Sequence, residues 1–424
     1  MLGRRGFALV CACMCALGLS AQASDDDKKD ETALNASGTA LDKGHYLAAQ
    51  EALAPRAFDA QGKPRDGMVY SNWSLFQAFI TNEPAPAAQP WSPGPPSASV
   101  AAAIAHARLA DPIAEIVRRA RATSIVILNE DHWVPRDRAF ALQVARALRP
   151  LGYSVLAAET FNNSPQPAFA EELRAKLERD GYPRRQSGYY TQDPVFGDFV
   201  RQALHLGYRP ALYEATTHVP SDTPYESIVR RDQEEAENLL AHAVKANPRA
   251  KILIYVGFDH AAEVAMPFNG GKEIEWMAAR LKHLSGIDPL TIDQTVLSPL
   301  SSGNPVLYAL VASRLRGRPA MLMADGAPLV VGEYAGKVDL QVAHPAAARI
   351  DGRPDWLRSM GRKPVGVPAN LIPHKGTRLI KAYIAAEAEH AVPVDQVLIT
   401  AGKPLPKLML PRGRIRYEVE DAAS

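Results

Sequence analysis

Four apolar runs in this chain each end in a carboxylate or a histidine, and no other feature limits its fold as strongly. Residues 124–129 lead into Glu130-Asp131-His132, 154–158 into Glu159, 209–213 into Glu214, and 251–258 into Asp259-His260. Short apolar runs of this length, rich in Val, Ile and Leu, read as strands buried on both faces, the habit of parallel sheets. In an open α/β sheet the carboxyl ends of the strands line the crevice that takes ligands. One charged residue after one strand carries little information. The same placement on four successive strands gathers Glu130, Asp131, His132, Glu159, Glu214, Asp259 and His260 at one rim, which is the candidate site.

Helical patterns separate these strands. Residues 136–149 carry apolar positions at three- and four-residue intervals, and 168–179, 195–206, 227–246 and 273–284 read as further helices. Residues 101–121 have helical spacing with a break at Asp111-Pro112, and 289–293 form another short strand. Strands alternating with helices imply right-handed βαβ units. The expected fold class is α/β, a mostly parallel sheet with flanking helices, plus a small C-terminal all-β domain. Strands at 319–324, 328–331 and 338–344 would complete the first domain. From about Lys363, short runs at 377–383, 395–400, 407–410 and 414–420 lie between Gly and Pro residues, the spacing of a small β-sandwich or barrel. Pro411-Arg412-Gly413 is expected to join the last two strands as a hairpin.

The N-terminus reads as a secretory signal: Arg4-Arg5, an apolar stretch over 7–19, and Ala21-Gln22-Ala23 before Ser24. A membrane anchor needs about 20 apolar residues, more than this stretch offers. Export to a periplasm is therefore expected, with an envelope lipoprotein cleaved before Cys13 as the lesser alternative. All three cysteines (Cys11, Cys13, Cys15) fall inside this segment, so the mature chain would have no disulfide or thiolate ligand. Net charge is +2, and Arg4 and Arg5 contribute two of the positives. A near-neutral mature chain argues against nucleic acid as a partner. Residues 24–44 are polar and aperiodic and are expected to be a flexible tether. Residues 45–83 hold Tyr46, Phe58, Tyr70, Trp73, Phe76 and Phe79 and should pack, and six prolines from Pro84 to Pro96 form an arm. The expected division is a signal over 1–23, a tether and Pro-rich arm over 24–96, the α/β domain over 97–362 and the β domain over 363–424.

At the rim, Glu130 and His132 can face the crevice together, as metal ligands or as a base and its orienting partner. A buried carboxylate such as Glu159 must be paired, protonated or on a metal. Glu214 repeats the arrangement, with Arg230 or Arg231 as its alternative ion-pair partner. Gly257 permits a close backbone approach before His260. Glu130, His132, Glu214 and His260 are thus the candidate metal ligands or acid/base groups, with Glu159 and Arg231 orienting them. Oxygen and imidazole donors suit manganese, cobalt, zinc or iron. No Gly-x-Gly-x-x-Gly, Walker-type loop or Gly-x-Ser-x-Gly elbow follows any strand, which argues against nucleotide binding and a serine hydrolase.

Asn129-Glu130-Asp131-His132, the strand-ending Glu159 and Glu214, Arg230-Arg231-Asp232 at the start of a long helix, and Gly257-Phe258-Asp259-His260 together resemble a known superfamily. It joins the erythromycin esterases, the ChaN-like haem-uptake lipoproteins and the TraB/TIKI proteases. Its usual opening is Gly-Glu-x-His. Here Asn129 replaces the glycine, Glu130 and His132 match, and Gly257 to His260 matches the later Gly-x-x-His. The resemblance covers roughly residues 97–345. It implies either a hydrolase of esters or peptides, in some members with a divalent metal, or a haem binder whose iron ligand is a tyrosine, for which Tyr189 and Tyr190 stand. The resulting expectation is an exported, metal-assisted hydrolase acting on an ester or amide in a small molecule or peptide. The alternative is a non-catalytic haem- or ligand-binding protein. The C-terminal domain, which has no histidine–carboxylate cluster, is expected to be an accessory module for an envelope partner or a glycan.

Overall fold

In the computed structural model of the chain, residues 24–88, 93–246, 248–268, 271–300 and 303–423 are described. The expected signal segment and its cysteines lie outside these residues. Among the described residues no helix is long and apolar enough to cross a membrane.

The main strands are β1 (Arg108–Ala110), β2 (Ile125–Glu130), β3 (Tyr153–Ala158), β4 (Arg209–Ala211), β5 (Lys251–Gly257), β6 (Leu290–Asp293), β7 (Ala320–Ala324) and β8 (Leu340–Ala343). They form one sheet in the order β1-β7-β8-β6-β2-β5-β3-β4, with Ala327–Pro328 pairing beside β7. From β8 to β4 every pair is parallel, and β7 and β1 add an antiparallel edge. The four strands singled out by their polar ends, β2, β3, β4 and β5, are parallel neighbours. All six residues of β2 are buried, as a strand covered on both faces requires. β5 enters between β2 and β3 after the chain has already passed to β4, so the strand ends converge on the β2–β5–β3 crevice.

The flanking helices are α4 (Ala98–His106), α5 (Pro112–Arg119), α6 (Pro135–Leu148), α7 (Pro167–Asp180), α8 (Pro194–His205), α9 (Pro224–Leu239), α10 (Met277–Ser285) and α11 (Pro305–Ala309). Asp193 caps α8 by accepting from the Val195 and Phe196 N–H groups at 3.1 and 3.2 Å. Thr223 and Glu226 form a capping box on α9. The expected helix over 101–121 is interrupted by β1, because Arg108–Ala110 pairs with Met321–Met323 before Asp111 and Pro112 start α5.

The region expected to be a tether is a helix. α1 (Asp25–Asp42) begins at Ser24, whose hydroxyl accepts from the Asp27 N–H, and Asp25, Asp26 and Asp27 complement the N-terminal end of the helix dipole. Its buried positions are the small Ala33 and Ser37 plus Leu41, so little apolar periodicity shows in the sequence. Ser37 donates to the Ala49 carbonyl of α2 (Tyr46–Ala57) at 2.7 Å, and α2 packs in turn on α3 (Met68–Thr81).

The C-terminal strands are β9 (Lys363–Val365), β10 (Thr377–Ile384), β11 (Asp395–Thr400), β12 (Leu408–Leu410) and β13 (Ile415–Asp421). They make two small antiparallel sheets, β11-β10-β13 and β9-β12. The expected hairpin between the last two strands does not form, since β12 pairs with β9 and β13 with β10. Alternation works as expected: Ile380 and Ala382 join a local cluster with Leu408 and Leu410, while Leu379 and Met409 enter the main core.

Candidate functional site

The turn after β2 builds the first half of the site. Asp131 shapes it: its Oδ1 accepts from the Trp133 N–H at 2.9 Å, and its own N–H donates to Asp137 Oδ2 at 3.1 Å. This brings His132 back over the strand end, with Nδ1 2.8 Å from Glu130 Oε1. Arg138, one turn into α6 and fully buried, donates to both Glu130 oxygens at 2.8 and 3.1 Å, to the His132 carbonyl at 2.7 Å and to Asp193 Oδ2 at 2.7 Å. Burial alone would raise the Glu130 pKa, but Arg138 and His132 outweigh it and hold the carboxyl below its ordinary range. An ionised Glu130 favours a proton on Nδ1, and the Nε2 side of the His132 ring lies against Gly257. Tyr190 stacks on the imidazole at 4.2 Å and 14°, and Phe258 meets it edge-on at 5.3 Å.

The second half comes from β3, β4, β5 and α9. Glu159 accepts from Arg231 Nη2 at 2.5 Å through one oxygen and from the Gly257 N–H through the other. Burial alone would raise Glu159; Arg231, His260 and His132 outweigh it and hold the carboxyl down at about 2. The Arg231 guanidinium also lies 2.8 Å from Glu235, 3.5 Å from Glu214 and 3.0 Å from His260 Nε2. On the other side of the ring, His260 Nδ1 lies 2.9 Å from Asp232 Oδ1. Burial lowers the His260 pKa, but Asp232 and Glu159 more than compensate, and it lies above the ordinary imidazole value. Asp232 is fixed by the Met277 N–H at 2.9 Å, and Trp276 packs edge-on against His260 at 5.2 Å. Two histidine–carboxylate pairs, Glu130–His132 and Asp232–His260, thus flank the Glu159–Arg231 pair.

Gly257 provides the space. A Cβ there would stand 2.5 Å from His132 Nε2 and 3.0 Å from Glu159 Oε2, so the close approach expected at this glycine is to the imidazole itself. The next residue, Phe258, has φ +40°, a backbone strain that a bulky residue rarely adopts and that accumulates at functional sites.

The structure thus brings together Glu130, His132, Glu159, Glu214, Arg231 and His260. Asp131 and Asp259 stand apart in role. Asp131 shapes the turn, and Asp259 accepts from the Tyr334 hydroxyl at 2.8 Å. Asn129, where the resembled motif has glycine, joins β2 to the end of β6 through Asp293 at 3.0 Å and the Gln294 N–H at 2.8 Å. Sequence reasoning missed Arg138, Asp193 and Glu235, and took Asp232 only as part of the helix-opening Arg230-Arg231-Asp232 motif. Glu235 carried a signal, since it stands four residues after Arg231 on one helix, at ion-pair spacing.

Of the expected metal ligands, Glu130 has both oxygens engaged by His132 and Arg138. Among the described residues the group that brings three ligand atoms within 4.8 Å of one another is Asp232, Glu235 and His260, all buried. The expected haem tyrosines are set into the protein: the Tyr189 hydroxyl donates to Asn72 Oδ1 at 2.7 Å, and Tyr190 is buried against His132 with Arg138 above its ring at 5.9 Å.

Glu214, with its side chain 23 % exposed, is pushed up to about 7 by burial and by Glu159, against the pull of Arg231. A carboxyl raised from its ordinary 4.5 favours the fold below 4.5, and this contribution fades as pH rises through about 7. Glu159, lowered to about 2, acts oppositely: its contribution is present above 4.5 and fades as pH falls towards 2. Thermal denaturation across pH should therefore show Glu214→Gln losing part of the wild-type decline between pH 4.5 and 7. An unchanged decline in this variant would place the titration elsewhere.

No family model matches the chain, and no curated protein matches it. Among solved structures it is similar to ChaN of Campylobacter jejuni, described with cofacial haem binding, at 9% identity over 43% of this chain and 85% of that one, TM-score 0.32. It is similar to the type III effector HopBA1 at 16% identity over 45% and 87%, TM-score 0.30. RRSP, a MARTX toxin effector domain from Vibrio vulnificus, is similar at 12% identity over 60% and 54%, TM-score 0.31. At these scores the likeness is a distant one.

Proposed function

We propose that the protein is an exported hydrolase of an ester or amide bond, acting on a small molecule or peptide at the crevice of β2, β5 and β3. The observation that carries this reading is the pair of buried histidine–carboxylate dyads on either side of Arg231. Such an arrangement serves acyl transfer to water. His132 Nε2 takes a proton from water while the water oxygen bonds to the acyl carbon, and Glu130 stabilises the imidazolium that forms. Charge developing on the carbonyl oxygen is met by the Arg231 guanidinium in a site shielded from solvent. As the C–O or C–N bond breaks, the leaving group takes a proton from Glu214, the carboxyl held near neutrality. The product acid keeps the water oxygen, and the imidazolium returns its proton to regenerate Glu214.

Asp232, Glu235 and His260 have the donor types of a divalent metal, and neither Glu235 oxygen has a hydrogen-bond partner among the described residues. Arg231 nevertheless stands 2.8 Å from Glu235 and 3.0 Å from His260, supplying the positive charge that these acids need. A metal between them would meet the guanidinium at contact distance, so these residues fit a resident metal poorly, and the electrophile's role is assigned to Arg231.

A panel of esters and peptides assayed with the purified protein tests the reading. Activity on at least one class is expected, and exhaustive chelation should change it less than about twofold. Loss of activity on chelation with recovery on adding zinc or manganese would return the electrophile's role to a metal. Haemin titration separates the alternative. Tyr189 would have to leave Asn72 to reach iron, so no saturable Soret shift is expected; one haem bound per chain without hydrolysis would replace the enzyme reading with the binding one.

A further inference from the structure

The α1–α3 unit lies before the α/β domain in the chain, yet α3 grips both segments that enclose His132. The Trp133 indole N–H donates to the Ser71 carbonyl at 2.9 Å. Asn72, 2% exposed, donates from Nδ2 to the Met68 carbonyl at 2.9 Å, which turns its Oδ1 towards the Tyr189 hydroxyl at 2.7 Å. From α2, the Tyr46 hydroxyl donates to the Gln192 carbonyl at 2.8 Å. The gripped loop carries Tyr190, whose ring meets Tyr189 edge-on at 5.4 Å and stacks on His132.

A hydrogen bond at Nδ1 fixes the imidazole tautomer and one direction, but it leaves the ring free to tilt about that bond. The stacked face of Tyr190 removes this freedom and aims Nε2 into the space left by Gly257. We propose that Asn72 is a positioning residue for His132: through Tyr189 it holds Tyr190 against the imidazole, making the N-terminal helices part of the site. The idea rests on His132 being the base of the proposed hydrolase, and a misplacement of about 1 Å in such a group lowers rates about 10²-fold.

The test reads the ring itself. In full-length protein labelled at histidine, the His132 Hε1 resonance, identified by its absence in His132→Ala, should lie upfield because of the Tyr190 ring, and Tyr190→Leu sets the unstacked position. Asn72→Ala and Tyr189→Phe should each move the resonance most of the way to that position and lower kcat about tenfold with KM unchanged. Folded Asn72→Ala and Tyr189→Phe proteins with the wild-type His132 resonance would overturn the proposal, and Tyr189→Phe decides alone if Asn72→Ala does not fold. A resonance that moves in a protein with no hydrolytic activity would uphold the positioning and remove the hydrolase reading instead.

Discussion

Replacing His132 with alanine should lower kcat on a responsive ester or amide about 10²–10⁴-fold, the range for losing a positioned general base. Stability should change far less, because among the described residues the imidazole ring hydrogen-bonds to Glu130 and the Glu130–Arg138 pair survives. Glu130→Gln should give a rate loss of similar order, since a neutral amide neither fixes the tautomer nor stabilises the imidazolium. This variant should also melt earlier: Arg138 is fully buried and would lose its ion pair with Glu130 while keeping that with Asp193, and breaking a buried pair costs about 3–5 kcal/mol. Activity loss with a preserved melting temperature in His132→Ala, against loss of both in Glu130→Gln, is thus the expected signature. Steady-state kinetics and thermal denaturation on the two variants read it directly. Wild-type rates in both His132→Ala and His260→Ala would remove these residues from the mechanism.

The gathering of the four polar strand ends at one edge was legible in the sequence because strand order and strand direction leave few choices. Glu130, Glu159, Glu214 and His260 end parallel neighbours, so they meet at one edge whatever the loops do. Gly257 was legible too, as a place where something must come close. The identity of that group was not, because nothing in a strand pattern says that the His132 ring folds back two residues after β2. The pairing within the rim was also hidden. Arg231 looked like one of two helix-opening arginines, but Asp232 meets His260 and Glu235 meets Arg231 because α9 turns that side of itself towards the strand-end residues Glu159, Glu214 and His260. The Arg138–Asp193 pair joins residues 55 positions apart and has no local signal. α1 escaped because its buried side is built of Ala and Ser, and its helix rests on a capping box and on packing against α2 rather than on a visible apolar stripe.

Cutting the chain after Arg362 should leave a fragment that does not fold, contrary to the independence expected of residues 363–424. The reason lies in which partners fall on which side of the cut. Arg353 would remain without Asp395, to which it donates at 2.7 and 2.8 Å, and Arg201 would remain without Glu387 at 2.6 and 2.8 Å. Arg201, Arg353 and Asp395 are buried, and Asp395 also accepts from the Met409 N–H at 2.6 Å. Leu379 and Met409 leave the main core with the cut, so packing is lost along with both pairs, against a typical domain stability of about 5–15 kcal/mol. The N-terminal helices lose support as well. Gln396 donates to the Phe79 carbonyl at 2.8 Å at the end of α3, and Lys381 donates to the Gly44 carbonyl at 2.7 Å between α1 and α2. Since α3 also holds Trp133 and Tyr189 beside His132, the C-terminal sheets are coupled to the site through the helices they support. Circular dichroism and thermal melting of the fragment ending at Arg362 decide the matter. A cooperative melt near that of the full chain would show that the buried pairs are dispensable, and that residues 363–424 form the separable accessory module that their sequence suggests.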